Sequence, residues 1–321
     1  MRKSAFDNFK KGARHHWWPI GLQKKSWIDQ NGYVKSVNPS GELKDLNPRV
    51  HAKLSDGHNF FFGKNAMWNS TFEHDFDAVD IAFPRTIQKL QLHMHKHLTL
   101  DKDKEVTWRR LSQSNSLLKE LCASIASLSL RSPAHRHKIE MTISDLHRVN
   151  DYDIYDRFSQ KQISNTVKGN IYGKQRQLTN DLFSRGVVTI VFSDQEDFIF
   201  GDGFFQNLPI SDFLAVLSPL KILVPITPKI SLMYHELGKK ILRAIYSYKA
   251  SSDDVKMINE ATQIHSKNWL FYKNKPPVIG DHFKCNAFHE CITPDPVDII
   301  CLLYTSPSPR DATLSRMPSS A

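Results

Sequence analysis

Residues 187–200, VVTIVFSDQEDFIF, and residues 222–234, ILVPITPKISLMY, decide the fold class. β-branched and aromatic residues crowd both stretches, and turn-forming residues bound them, so strands are predicted at Val187–Phe192, Asp197–Phe200, Ile222–Ile226 and Ile230–Tyr234. Ser193–Glu196 is expected to join the first two.

Upstream the apolar period is helical. Leu111, Leu118, Leu121, Cys122, Ile125 and Leu128 make one stripe, predicting a helix over Trp108–Arg131 that Ser132-Pro133 terminates, because a residue before proline is pushed out of helical geometry. A further helix is expected from Pro133 to Leu146, and a short one over Gln175–Phe183. Between Thr71 and His97, Phe72, Phe76, Val79, Ile87, Leu90 and Leu92 recur at helical intervals, with Pro84 expected to kink or split the element. Residues 150–175 are polar and fit either an exposed helix or a long loop.

The flanks complete the order. Gly32–Val37 alternates and Asn38-Pro39-Ser40-Gly41 is a turn, which predicts a hairpin near residues 32–46, with a third strand at Asn59–Phe62. Ser251 or Ser252, with Asp253 and Asp254 in the first turn, should cap a helix whose Val255, Ile258, Ala261 and Ile264 face inward. Trp269–Tyr272 reads as a closing strand. Strands, helices, strands and a helix in that order favour an α+β fold with helices packed on a small antiparallel or mixed sheet. Residues 1–300 read as one large domain.

The segment 301–321, CLLYTSPSPRDATLSRMPSSA, back-translates without a break into a transposase-type library adapter, an index and a flow-cell primer site. It reads as an adapter artefact with no structure of its own, leaving the readable chain to stop at Ile300 and the natural C-terminus to be missing. Removing it takes Lys+Arg from 43 to 41 and Asp+Glu from 33 to 32, so the formal charge falls from +10 to +9. Cys122, Cys285 and Cys291 are then an odd number at no framework spacing, which points to a reducing compartment. The start lacks an apolar core of signal-peptide length. The most apolar stretch, Phe213–Tyr234, is broken by Lys221, Lys229 and three prolines, so the chain is expected to be soluble and cytoplasmic with no membrane partner.

Charge is concentrated at the start. Arg2, Lys3, Lys10, Lys11, Arg14, Lys24 and Lys25 stand against Asp7 and Asp29, and Trp17, Trp18 and Trp27 alternate with the cations. Lys10, Lys11, Arg14, Lys24 and Lys25 are therefore candidate nucleic-acid contacts, with the tryptophans as stacking surfaces. The plainer alternative makes the tryptophans core anchors and the lysines a solvated rim.

A resemblance joins these pieces. His15-His16-Trp17-Trp18-Pro19-Ile20-Gly21-Leu22, Gly32-Tyr33-Val34, Asn59-Phe60-Phe61-Phe62, Thr71-Phe72-Glu73, Arg131-Ser132-Pro133, Phe198-Ile199-Phe200-Gly201-Asp202 and Leu223-Val224-Pro225-Ile226-Thr227-Pro228 together resemble the bacterial Domain of Unknown Function 4238 family. Its members begin with a His-x-x-Pro segment before a short hairpin. Here Gly203-Phe204 stands where that family has proline after the aspartate. The resemblance implies an architecture and candidate positions, and no reaction.

His16, Glu73, Arg131 and Asp202 fall at the ends of predicted elements, where binding residues gather. Glu73 and Asp202 are hard oxygen ligands suited to Mg²⁺ or Mn²⁺, His16 is a ligand or general base, and Arg131 is an anion clamp. That set describes a metal-dependent hydrolase acting on a phosphate-containing substrate, nucleic acid among the options; the alternative is a non-catalytic nucleic-acid or protein-binding module. Two weaker clusters are His282, Cys285, His289 and Cys291 in one short loop, and His93 with His97 on one helical face. No Walker-type phosphate loop, dinucleotide fingerprint or Gly-x-Ser-x-Gly elbow is present.

Overall fold

The computed structural model describes residues 13–60, 69–100, 108–111, 114–149, 160–209, 219–236, 243–289 and 295–305. The chain enters on β1 (Arg14–His16), makes a single turn α1 (Ile20–Leu22) that runs on as a π-turn to Trp27, and folds into the hairpin β2 (Val34–Val37) and β3 (Leu43–Leu46). Gly41, at φ 85°, supplies the left-handed backbone that the hairpin turn requires. β4 (Lys53–Ser55) returns antiparallel to β1. β5 (Asn59–Phe60) pairs with β6 (Ser70–Thr71) and does not extend the hairpin as the sequence suggested; residues 61 and 62 lie outside the described residues.

A 3₁₀ turn at Glu73–Asp75 leads into α2 (Asp77–Leu100). Of the two outcomes expected at Pro84, a split does not occur: Phe83, Ile87 and Leu90 are buried along one face, and that packing holds the helix through the lost hydrogen bond. Beside the proline, Gly21 of α1 leaves room for the close approach, since a Cβ there would stand 3.3 Å from the Asp80 carbonyl oxygen.

Trp108–Leu111 corrects a second expectation. Trp108–Arg110 is an edge strand, β7, and the Trp108 ring stacks on Tyr248 at 4.5 Å. The helix α3 (Asn115–Arg131) starts only after Ser114, whose hydroxyl accepts the Leu117 N–H as an N-cap. It ends at Ser132 as the proline dictates, and α4 (Pro133–Val149) follows. α5 (Gln160–Gly169) resolves part of the ambiguous polar stretch as helix, Gly173 at φ 70° turns the chain, and α6 (Lys174–Arg185) leads into β8 (Gly186–Phe192).

β8 is buried along its whole length, as a strand covered on both faces must be. The predicted Asp197–Phe200 strand shrinks to β9 (Phe200–Gly201) and joins a different sheet from β8. β10 (Lys221–Thr227) and β11 (Ile230–Glu236), the two strands expected there, pair as a hairpin, and β12 (Ala244–Lys249) lies parallel to β8. Then come α7 (Ser252–Ile264), β13 (Leu270–Tyr272), α8 (Asp281–Lys284) and α9 (Pro296–Thr305). The Ser251 cap is a complete capping box: its hydroxyl accepts the Asp254 N–H, and the Asp254 carboxylate accepts the Ser251 N–H at 2.8 Å. The expectation of no structure from residue 301 onward is corrected over 301–305, where α9 continues, its own Val297 and Ile300 buried in the core; residues 306–321 lie outside the described residues.

The architecture is α+β. A five-stranded mixed sheet ordered β10-β11-β8-β12-β7 packs against α3 and α2, and a four-stranded antiparallel sheet is ordered β3-β2-β13-β9. One apolar cluster reaches from Trp17 through α2, α3 and β8 to Phe271, so both sheets share it. Trp27 ties them further, donating its indole N–H to the Ile226 carbonyl at 3.0 Å.

Candidate active site

β1 alternates its side chains, so its two histidines point apart. His15 is buried and His16 half-buried. Across β4, the turn through Asp56 (φ 50°) sends the chain back so that the His58 N–H donates to His15 Nδ1 at 3.1 Å. His58 is fixed in turn by its carbonyl, which accepts from the Phe72 N–H at 3.0 Å and the Thr71 hydroxyl at 3.2 Å. That brings the 3₁₀ turn after β6 alongside, and His15 Nε2 meets a Glu73 carboxylate oxygen at 3.2 Å. The His15 and His58 rings lie 4.9 Å apart.

Electrostatics separates these groups. Burial holds the His58 imidazole neutral, well below its ordinary range, and the neighbouring Arg136, Arg131, His15 and Lys168 add to the effect. Burial alone would raise the Glu73 carboxyl, but the His15 hydrogen bond and the charges of His15, His16 and Arg131 outweigh it and bring it below the usual value. Glu73 is therefore ionised, with half its side chain in solvent.

Two cations close the cluster. Arg136, one turn into α4, donates Nη1–H to the Gly57 carbonyl at 3.0 Å, while its Nε and Nη2 are shut off from solvent and have no partner among the described residues. Burial, then Arg131, lowers its guanidinium to about 10. Lys168 of α5 is lowered to about 8 by burial and Arg136, against the opposing pull of Asp56. A guanidinium with two enclosed donors and no carboxylate against it among the described residues is unusual, since buried charges are normally paired.

His15, His58 and Glu73 each offer a donor atom, all within 4.8 Å of one another. The hydrogen bonding opposes a dication there. His15 Nδ1 accepts a backbone N–H, so the ring proton sits on Nε2 and points at Glu73. A metal on Nε2 would force that proton onto Nδ1, facing another N–H, whereas ligating histidines hand the second ring N–H to an acceptor. His15 and Glu73 make a histidine–carboxylate dyad.

The residues singled out by sequence are partly gathered. His16 and Arg131 lie within electrostatic reach of Glu73. His16 is held by the Pro48 carbonyl at 3.1 Å, and burial and Lys53 lower it to about 4. Arg131 is corrected from an anion clamp to a structural link. It grips Asp80 with two hydrogen bonds of 3.0 and 2.6 Å, donates to the Ser127 carbonyl and hydroxyl, and lies over the Phe76 ring at 4.5 Å.

Asp202 does not join Glu73 in a metal pair. Its carboxylate accepts the Lys267 N–H at 2.9 Å, the Asn268 N–H at 3.0 Å and the Asn268 amide at 2.9 Å, fixing the turn into β13. Gly203 follows where a proline was the comparison, because a Cβ there would lie 1.7 Å from the His265 carbonyl oxygen. Asp202→Asn is expected to lower stability by about 2 kcal/mol in urea unfolding, since one acceptor becomes a donor facing a buried N–H. A loss below about 0.5 kcal/mol would contradict this structural role.

At the start of the chain, Arg14, Lys24 and Lys25 are exposed, and Lys10 and Lys11 lie outside the described residues. Trp17, Trp18 and Trp27 are core, with Trp18 stacked on Phe200 at 4.5 Å, so they offer no base-stacking platform. In the late loop Cys285 and His282 are exposed, and Cys291 lies outside the described residues. His97 is buried against the Ser247 hydroxyl at 2.6 Å and does not pair with His93 on a common surface.

His15, His58, Arg136 and Lys168 escaped sequence reasoning. An aspartate–glycine turn just before His58 was the one local signal. Among the described residues, no helix is long and apolar enough to cross a membrane. No family model, curated protein or solved structure matches the chain.

Proposed function

We propose that the protein is a hydrolase acting on a phosphate-containing substrate, with Glu73, His15, His58 and Arg136 as its active site. The observation that carries this reading is the guanidinium of Arg136 beside His58 and Lys168, whose Nε and Nη2 find no partner among the described residues. Such a group suits a phosphate, whose oxygens match guanidinium donors. Glu73, steadied by the His15 N–H, takes a proton from water as the water oxygen bonds to phosphorus and the ester P–O bond breaks, its electron pair leaving on the ester oxygen as an oxyanion. Arg136 and Lys168 supply the positive charge that the transition state needs, in place of the Mg²⁺ or Mn²⁺ suggested by the paired carboxylates Glu73 and Asp202.

The test offers p-nitrophenyl phosphate, bis-p-nitrophenyl phosphate, and single- and double-stranded DNA and RNA, each with Mg²⁺, Mn²⁺ or EDTA. Hydrolysis that survives EDTA and drops about 100-fold in Glu73→Gln is expected. Arg136→Met should lose the activity while its melting temperature holds or rises, because an unsatisfied buried cation has been removed. No turnover of any of these substrates, or full activity in Glu73→Gln, would sink the reading.

A further inference from the structure

Between the β1–β4 pair, the turn that joins β3 to β4 and the start of β13 lies a cleft of about 300 Å³. Its floor is aromatic. The Trp17 and Phe271 rings lie 6.2 Å apart, centre to centre, and are 6% and 1% exposed, so they close the bottom and offer little surface of their own. The apolar surface that a ligand can cover belongs to the half-buried Trp269 and Leu46 and to the exposed Val50. The volume is at the small end for ligand pockets and suits a molecule of about one or two rings.

Two cations and no carboxylate line this cleft, Arg14 and Lys53. Arg14 stands opposite Ser55 and His16 opposite Lys53, so Arg14 and Lys53 are diagonal neighbours on one face of the pair, about 7–8 Å apart at the backbone. Their long stems let guanidinium and ammonium converge on a single anion. Neither makes an ion pair among the described residues, so two like charges face the same hollow unmatched. The other polar groups around it leave that sign unchanged. His16, on the same face, is held by the Pro48 carbonyl, and His51 donates Nδ1–H to the Asn47 carbonyl at 2.8 Å while its Nε2 is shut off from solvent. Burial lowers both rings, which keeps them neutral near pH 7. Lys44, 5.8 Å over the Trp269 ring, is already matched by Glu42 at 3.0 Å. An uncharged ring would leave Arg14 and Lys53 unmatched, and a bare anion would leave Trp269 and Leu46 in water.

We propose that this cleft binds a small planar aromatic anion, its ring against Trp269 and Leu46 and its carboxylate or phosphate-type group between Arg14 and Lys53. The cleft lies on the opposite face of β1 from His15, and the proposal does not depend on the hydrolase reading.

Four probes separate ring from charge when titrated against the full chain by ligand-observed NMR: 1-naphthoate, 1-naphthylphosphonate, 1-naphthamide and acetate. The two aromatic anions are expected to bind saturably, the tighter of them naming the anionic group, with the uncharged amide and acetate at least about tenfold weaker. Arg14→Gln and Lys53→Gln should each weaken the tighter anion at least about fivefold with the melting temperature held, and added salt should weaken it further. If one variant does not fold, the other decides. Arg136→Met, at the proposed hydrolytic centre, should leave this binding unchanged. Absence of saturable binding by either aromatic anion, equal binding of the amide or of acetate, undiminished binding in a folded Arg14 or Lys53 variant, or its loss in folded Arg136→Met overturns the proposal.

Discussion

Replacing Arg131 with methionine is expected to cost about 3 kcal/mol of unfolding free energy, measured by urea titration. The guanidinium is only 2% exposed, and its donors are spent on Asp80 and on Ser127 one turn back. Removing it strands the Asp80 carboxylate and uncovers the Phe76 ring face. Asp80 keeps about a third of its side chain in solvent, so part of the stranded charge is relieved by water and the loss should stay near the lower end of what breaking a buried pair produces. Arg131→Met combined with Asp80→Leu should recover part of it, as apolar replacements of buried ion pairs often do. A single-variant loss below about 1 kcal/mol would show that α2 and α3 do not depend on this link. An activity change in Arg131→Met without a stability change would restore the clamp role expected from sequence.

Acid should unfold the protein through its buried imidazoles. His135 and His265 sit at about 3 and about 4 in the folded chain, because burial excludes the charged form, and near 6.5 when unfolded. Below 6.5 the unfolded chain takes up protons that the folded chain refuses. The stability these groups contribute is thus fully present above about 6.5 and is lost as the pH falls toward 4. Between them the loss is on the order of 5 kcal/mol, comparable with the whole stability of many domains. His16, at about 4, pulls the same way. Asp202, raised by burial, pulls the other way and softens the fall. Melting temperatures from pH 7 to 4.5 should drop steeply below pH 6, and a His135→Phe, His265→Phe double variant should flatten that slope. A level profile across the same range would contradict the assignment.

The elements legible in the sequence are those set by neighbours along the chain. The Ser251 cap, the Ser132-Pro133 helix end and the strands β10 and β11 each depend on residues a few positions apart, and each forms where expected. Trp108–Leu111 misled because its apolar residues continue the α3 stripe; only pairing with distant β12 makes it a strand. β12 itself, AIYSYK, carries the alternation of a strand and went unread. The site was half legible for the same reason. Glu73 could be picked from its position, but whether His15 or His16 faces it depends on how β1 pairs with Lys53–Ser55, which no local pattern states. His58 and Arg136 meet only after the turn at Asp56–Gly57 has docked on α4.

The order β10-β11-β8-β12-β7 sets Trp108 beside Tyr248, so an edge laid down early in synthesis is completed by one of the last strands to appear. Closing a long loop costs little more than closing a moderate one. What delays β7 is therefore the need for its template, since β12 exists as a pairing edge only once β8 has taken it on as a parallel neighbour. Three residues at the rim are thus held by one neighbouring strand alone, an edge of the kind expected to open before the strands inside it.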